Sequence, residues 1–125
     1  MGVIKKELKL IGGKGEKKVN VLFDTGASFS LIRRSVAEEI APISPLGRSL
    51  RFLLGDGKKV LASREAVIIQ IEMKRCLVTD HAIVMDSLAE DFILGASSMQ
   101  FYQIKLDPEK EDFTIDRERT KLQLV

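Results

Sequence analysis

The chain holds a single cysteine, Cys76, in 125 residues, so no disulfide can form within it. Its fold must rest on a packed core, and a lone thiol suits a reducing compartment. Histidine is equally scarce, with only His81. A zinc site needs three or four clustered ligands, which one histidine and one cysteine do not supply, so no metal and no cofactor is expected. Excess charge is missing too, since the net charge is only +2. The basic pairs Lys5-Lys6, Lys17-Lys18, Arg33-Arg34 and Lys58-Lys59 mostly have acids close by, with no aromatic residues interleaved. That pattern is a solvated surface and excludes nucleic acid as the expected partner. No run approaches the roughly eighteen apolar residues of a membrane span. The first residues, Met1-Gly2-Val3-Ile4-Lys5-Lys6-Glu7, lack an apolar stretch of signal-peptide length, and Lys6 stands where a myristoylation signal wants Ser or Thr. No membrane partner and a cytoplasmic location are therefore the expectation.

What is present is a balanced globular composition, 45% apolar and 30% charged. A chain of this length reads as one domain, residues 1–125, able to bury roughly two thirds of its unfolded surface. The pattern is mainly β. Residues 3–11 and 18–23 read as a hairpin broken by Gly12-Gly13-Lys14-Gly15. Residues 30–40 place Leu31, Ile32, Val36 and Ile40 near helical spacing until Pro42 and Pro45 stop them. Strands follow over 51–54 and 59–62, separated by Gly55-Asp56-Gly57, in which Asp-Gly favours a tight type I′ hairpin turn. Further strands span 65–73 and 76–85, joined around Lys74-Arg75. Ile68 interrupts the alternation of the first of these, which predicts burial on both faces. Residues 92–94 read as a short buried strand, and 96–102 as a helical turn or two that Ser97 and Ser98 could cap. A closing hairpin spans 103–106 and 113–115, with a polar tip between them.

The stretch around which the chain is organised is Val21-Leu22-Phe23-Asp24-Thr25-Gly26-Ala27-Ser28. Strand formers end abruptly in an acid, and Gly26 supplies backbone freedom for a tight loop presenting that carboxylate. Taken alone, Asp-Thr-Gly is equally an ordinary strand-terminating turn. The context favours more, because a second apolar run, Phe92-Ile93-Leu94-Gly95, also ends in glycine.

Asp24-Thr25-Gly26-Ala27-Ser28, Gly55-Asp56-Gly57 and Ile93-Leu94-Gly95, in that order, resemble the retropepsin-like aspartic proteases, the single-lobe retroviral enzymes and their cellular relatives. The resemblance spans residues 19–115. It implies an all-β closed barrel with one or two short helices, one lobe per chain, acting as a homodimer on a peptide or protein substrate. Asp24 would be catalytic with Thr25 and Gly26; Thr25 would cross-link the paired loops. Ala27 and Ser28 would line the cleft floor, and Ser28 could reach an outer carboxylate oxygen. Gly55, Asp56 and Gly57 would form a flap over substrate. Ile93 and Leu94 would wall apolar subsites, and Gly95 would permit close chain crossing. Phe29 stands where the retroviral enzymes put an acid, and Ala96 where they put an arginine, so their intrachain ion pair is missing.

Two readings compete, beside a purely structural β domain. One keeps the fold as a catalytically silent dimeric binding module. The other is a phosphate-handling enzyme of the actin-like kind, since those also use Asp-x-Gly, but such folds need two lobes and further phosphate motifs that are not present here.

Overall fold

The computed structural model describes residues 3–53 and 60–120. The Gly55-Asp56-Gly57 tip and the last five residues lie outside them. Among the described residues nine strands appear in chain order: β1 (Val3–Ile11), β2 (Glu16–Asp24), β3 (Ser30–Arg33), β4 (Ser44–Leu53), β5 (Val60–Met73), β6 (Cys76–Met85), β7 (Phe92–Leu94), β8 (Lys105–Asp107) and β9 (Asp112–Thr114). Helix α1 (Arg34–Ile40) follows β3 and α2 (Ala96–Phe101) follows β7.

Seven strands form one sheet in the order β1-β2-β7-β3-β6-β5-β4, and β1 also pairs with β5. That extra pairing, Leu10 opposite Ile71 and Ile11 opposite Gln70, closes six strands into a barrel. Closure removes the exposed edges that an open sheet of this size would carry. In this sheet the strand outside the ring is β4, which among the described residues pairs with β5 alone, while β8 and β9 form a separate two-stranded sheet. This is where Pro45 is tolerated: the sequence puts a helix-stopping proline here, and the structure makes it part of an edge strand. At the hairpin's described ends Leu53 pairs with Val60.

Strand parity sorts the side chains into two apolar clusters. Val21, Phe23, Ile32, Val84, Phe92 and Leu94 point into the barrel. Their neighbours Leu31, Ile83, Met85 and Ile93 point the other way, into a second cluster joined by Leu22, Ala27, Leu50 and Phe52. Strands β3 and β7 are thus buried on both faces, the condition the sequence had suggested for residues 65–73 instead. In β5 the alternation holds, with Val67, Ile69, Ile71 and Met73 inside and Ile68 62% exposed. The outer face of β5 has no layer over Ile68, so one side is solvated.

The sequence pattern extends α1 back to Ser30, but residues 30–33 are strand. Ser30 to Arg33 pair in parallel with Ala82 to Met85, and Leu31 and Ile32 pair with β7. The adjacent apolar residues Leu31 and Ile32 each need a different core, which a strand supplies and a helix face does not. The glycine-rich turn between β1 and β2 docks on the end of α1: the N–H groups of Lys14 and Gly15 donate to the Ile40 carbonyl at 2.8 and 3.2 Å. A Cβ at Gly12 would strike that same carbonyl oxygen.

Between β5 and β6 the two-residue turn puts Lys74 and Arg75 at φ of 47° and 69°. Two left-handed residues without glycine are unfavourable, and contacts of Lys74 offset this. Its ammonium reaches Asp112 at 2.9 Å, lies 4.7 Å from the Phe113 ring centre and donates to the Phe113 carbonyl. Lys74 first, and then the Phe113 N–H, holds the Asp112 carboxyl down to about 2. Phe113 in turn stacks on Phe23 with ring centres 4.8 Å apart, which fastens the closing hairpin to the strand leading into Asp24.

Phe113, 2% exposed, is therefore a test of that fastening. Phe113→Ala should cost about 3–5 kcal/mol, as large-to-small changes at buried aromatics do. Urea unfolding would report it as a lower midpoint at unchanged slope, whereas a loss below about 1 kcal/mol would mean that the hairpin is not part of the cooperative unit.

Candidate active site

Strand β2 ends at Asp24, and the chain reverses through residues 25–29 before entering β3. The reversal is tight: the Ala27 N–H donates to the Asp24 carbonyl at 3.1 Å, and the Gly26 N–H donates to Asp24 Oδ1 at 2.8 Å. The second bond fixes the carboxylate's orientation from within its own loop. Thr25 is exposed and lines an open groove of about 570 Å³ together with Met99, Gln100, Ile104 and Leu106. Asp24 is not among the residues lining this groove.

The loop is clamped from β7 and α2. Two N–H groups in the first turn of α2, which have no partner inside the helix, donate across to the loop: Ala96 N to the Ala27 carbonyl at 2.6 Å and Ser97 N to the Ser28 carbonyl at 3.3 Å. The Ser97 hydroxyl adds a bond to the same Ser28 carbonyl at 2.9 Å. Neither Ser97 nor Ser98 caps α2 as the sequence suggested. The N-cap is Gly95, without a side-chain bond, because both hydroxyls are drawn away to the loop and to the barrel. Gly95 is also a tight crossing: a Cβ there would lie 2.5 Å from the Phe29 carbonyl carbon.

Ile93 and Leu94 separate by parity. Ile93 joins the outer cluster with Ala27, while Leu94 is 0% exposed in the barrel core. Only Ile93 can face a ligand; Leu94 supports the loop from beneath. Phe29, half exposed, meets Phe52 of β4 edge to face at 6.1 Å, so the loop touches the hairpin through an aromatic pair.

The buried group that the sequence reading missed is Asp80, 9% exposed. It accepts from the Ser30 hydroxyl at 2.5 Å, the Ser98 hydroxyl at 2.7 Å and the His81 N–H at 2.9 Å. Ser30 Oγ also accepts from the Gly95 N–H at 3.1 Å. The signal was available: in Cys76, Val78, Asp80 and Ala82 a charge sits at an inward position of an alternating strand. Burial pushes the Asp80 carboxyl up from the ordinary carboxylate range, and the hydrogen bonds of Ser30, Ser98 and His81 bring it only part of the way back.

A family profile described as "gag-polyprotein putative aspartyl protease" matches residues 12–100. Among solved structures, the fold is similar to that of the retroviral protease-like domain of Ddi1 from Leishmania major, with a TM-score of 0.60 at 15% identity, over 94% of this chain and 87% of that one. It is also similar to EIAV protease in complex with the inhibitor HBY-793, with a TM-score of 0.58 at 20% identity, over 82% and 90%. No curated protein sequence matches.

Gly95→Ala should destabilise the chain by about 1–3 kcal/mol, the usual range for overpacking, because the new methyl meets the Phe29 backbone and either the loop or the start of α2 must move. A variant that melts with the wild type would mean that the crossing is looser than the structure has it. Asp80 makes a separate prediction. A carboxyl whose folded pKa is raised binds its proton more tightly folded than unfolded, so stability falls as pH rises from about 3.8 to the raised value and is flat above it. Chemical denaturation across that window should show a decline in the wild type that Asp80→Asn lacks; parallel pH profiles would contradict it.

Proposed function

The chain belongs to the retropepsin-like aspartic protease family, and from that premise we propose that it is an aspartic endopeptidase acting as a homodimer, with Asp24 of each copy forming the catalytic pair. The observation that carries the reading is the Asp24 carboxylate itself, oriented by the Gly26 N–H at 2.8 Å at the end of a core strand, in a loop held on both legs. One loop of this kind per chain supplies one carboxylate. Hydrolysis of an amide by carboxylates needs two: one takes a proton from water as its oxygen attacks the carbonyl carbon, and the other gives a proton to the carbonyl oxygen. The tetrahedral adduct then collapses as the amide nitrogen takes a proton and leaves. A two-fold axis beside the loop provides the second acid.

Two ionised carboxylates about 3 Å apart repel by roughly 5 kcal/mol at an effective dielectric of about 20. The two roles are met when the pair shares a single proton, one acid serving as base and the other as donor. Thr25 would cross-link the two loops, and the groove that it lines with Met99, Gln100 and Ile104 faces the partner. An extended peptide would lie on the outer apolar cluster, over Ala27, Leu31, Ile83 and Ile93, with Ser28 at the floor. The hairpin of β4 and β5, through Gly55, Asp56 and Gly57, would close as a flap. Phe29, Phe52 and Ile93 favour apolar substrate side chains. The reading includes a reducing, cytoplasmic setting, supported by a single free and buried cysteine.

Asp24→Asn keeps the side chain's shape but cannot act as base, so the purified variant should fold and lose hydrolysis of denatured casein by at least about 10³-fold. Specific activity of the wild type should rise with protein concentration until the dimer saturates. Excess Asp24→Asn chains should poison it, since each mixed dimer keeps one carboxylate. Activity that is independent of dilution in a sedimenting monomer would sink the proposal. Peptide binding without any hydrolysis would favour the catalytically silent dimeric module.

A further inference from the structure

We infer that Asp80 is a positioning residue for the loop that carries Asp24: its buried carboxylate fixes, through Ser30 and Ser98, where that loop lies against β7 and α2. The catalytic consequence rests on the protease reading above; the positioning does not.

An ionised carboxylate only accepts hydrogen bonds, and a buried one needs several donors. Asp80 has three, and they come from three different pieces of chain. The Ser30 hydroxyl lies at the return leg of the loop, the Ser98 hydroxyl lies on α2, and the His81 N–H lies on β6 itself. Ser30 is the joint. Its oxygen accepts from the Gly95 N–H at 3.1 Å, so its own proton is directed at Asp80. The donor chain therefore runs in one sense, from Gly95 to Ser30 to Asp80. Among the described residues no buried side-chain nitrogen or oxygen lacks a partner, so the network closes on itself.

The position of Gly95 matters because Ala96 and Ser97 come next. Their N–H groups hold the Ala27 and Ser28 carbonyls, and the Ala27 N–H returns to the Asp24 carbonyl. Asp80 thus holds Ser98 directly and Gly95 through Ser30, and these two residues bracket the pair holding the loop. A shift at this carboxylate passes through two hydrogen bonds to the backbone bearing Asp24. Misplacement by about 1 Å can cost about 10²-fold in rate, so the effect belongs in turnover more than in binding. Ser30 pairs with Ala82 in the parallel register of β3 and β6. The register brings the acid, two residues earlier and on the same face, beneath the loop.

The test compares Asp80→Asn, Asp80→Ala and Ser98→Ala with the wild-type protein by amide hydrogen exchange and by kcat and KM on a peptide at dimer-saturating concentration. Asn keeps the shape and an acceptor for Ser98 and His81, but its amide group faces Ser30 and reverses that bond. Asp80→Ala should speed exchange at Gly95 and Ala96 at least tenfold more than at β1 and β2, and should lower kcat ten- to a hundredfold with KM within twofold. Asp80→Asn should do both to a smaller degree, and if Asp80→Ala fails to fold, Asp80→Asn and Ser98→Ala decide. Loop amides that change only in step with those of β1 and β2, or a loss carried by KM alone, would overturn the role. Wild-type protein without hydrolysis would sink the protease reading, while selective exchange at Gly95 and Ala96 would still support the positioning role.

Discussion

The contact on which the rest of the site depends is the crossing of Gly95 beneath Phe29. Strand β7 has only three residues, yet it lies between the two legs of the Asp24 loop, pairing in parallel with β2 and antiparallel with β3. So short a strand contributes few ladder bonds, and its place is secured from both ends. Before it, the Arg33 guanidinium donates to the Leu88 carbonyl and to Asp91, each at 2.9 Å, and to the Ala89 carbonyl. After it, Gly95 lets the chain pass within a distance that any side chain would forbid, and α2 starts at once with its free N–H groups aimed at the loop. Backbone donors that would need a cap are used instead as a clamp.

A buried acid under this clamp is unfavourable in isolation, because removing a carboxylate from water costs far more than one hydrogen bond returns. Asp80 offsets the cost by gathering three donors. The arrangement trades stability for placement, since an apolar side chain at the same site would have left the Ser30 and Ser98 hydroxyls and the His81 N–H to find other partners. By contrast, Arg34 with Glu65 and Asp86 forms a network at the surface, where water screens the charges and the contribution to stability is small. Charges at the rim and charges beneath the loop therefore do different things.

Phe29 and Ala96 bear on the same point. The loop carries an aromatic residue and α2 opens on a methyl where the family resemblance implies an ion pair, and Phe29 meets Phe52 on the hairpin instead. The outer cluster on β2, β3, β6 and β7 continues this apolar character up to Ala27. Loop, hairpin and outer cluster share one hydrophobic surface.

The sequence by itself determined most of the strands, the acid-bearing loop and the family. Alternation is a local property, and hairpins such as β1–β2 and β5–β6 are set by residues close together in the chain, so residues 3–11 and 76–85 could be read directly. The motif residues Asp24, Thr25 and Gly26 are contiguous for the same reason. Only the tertiary structure decided that residues 30–33 are strand, since their periodicity fits a helix and the pairing with β6 and β7 that overrides it comes from far along the chain. It also decided that Ile93 and Leu94 serve opposite faces, that Ser97 and Ser98 bond to the loop and to Asp80 in place of capping, and that Asp80 lies beneath the Asp24 loop. These depend on which strand is neighbour to which, and a neighbour fifty or more residues away leaves no trace in a local pattern.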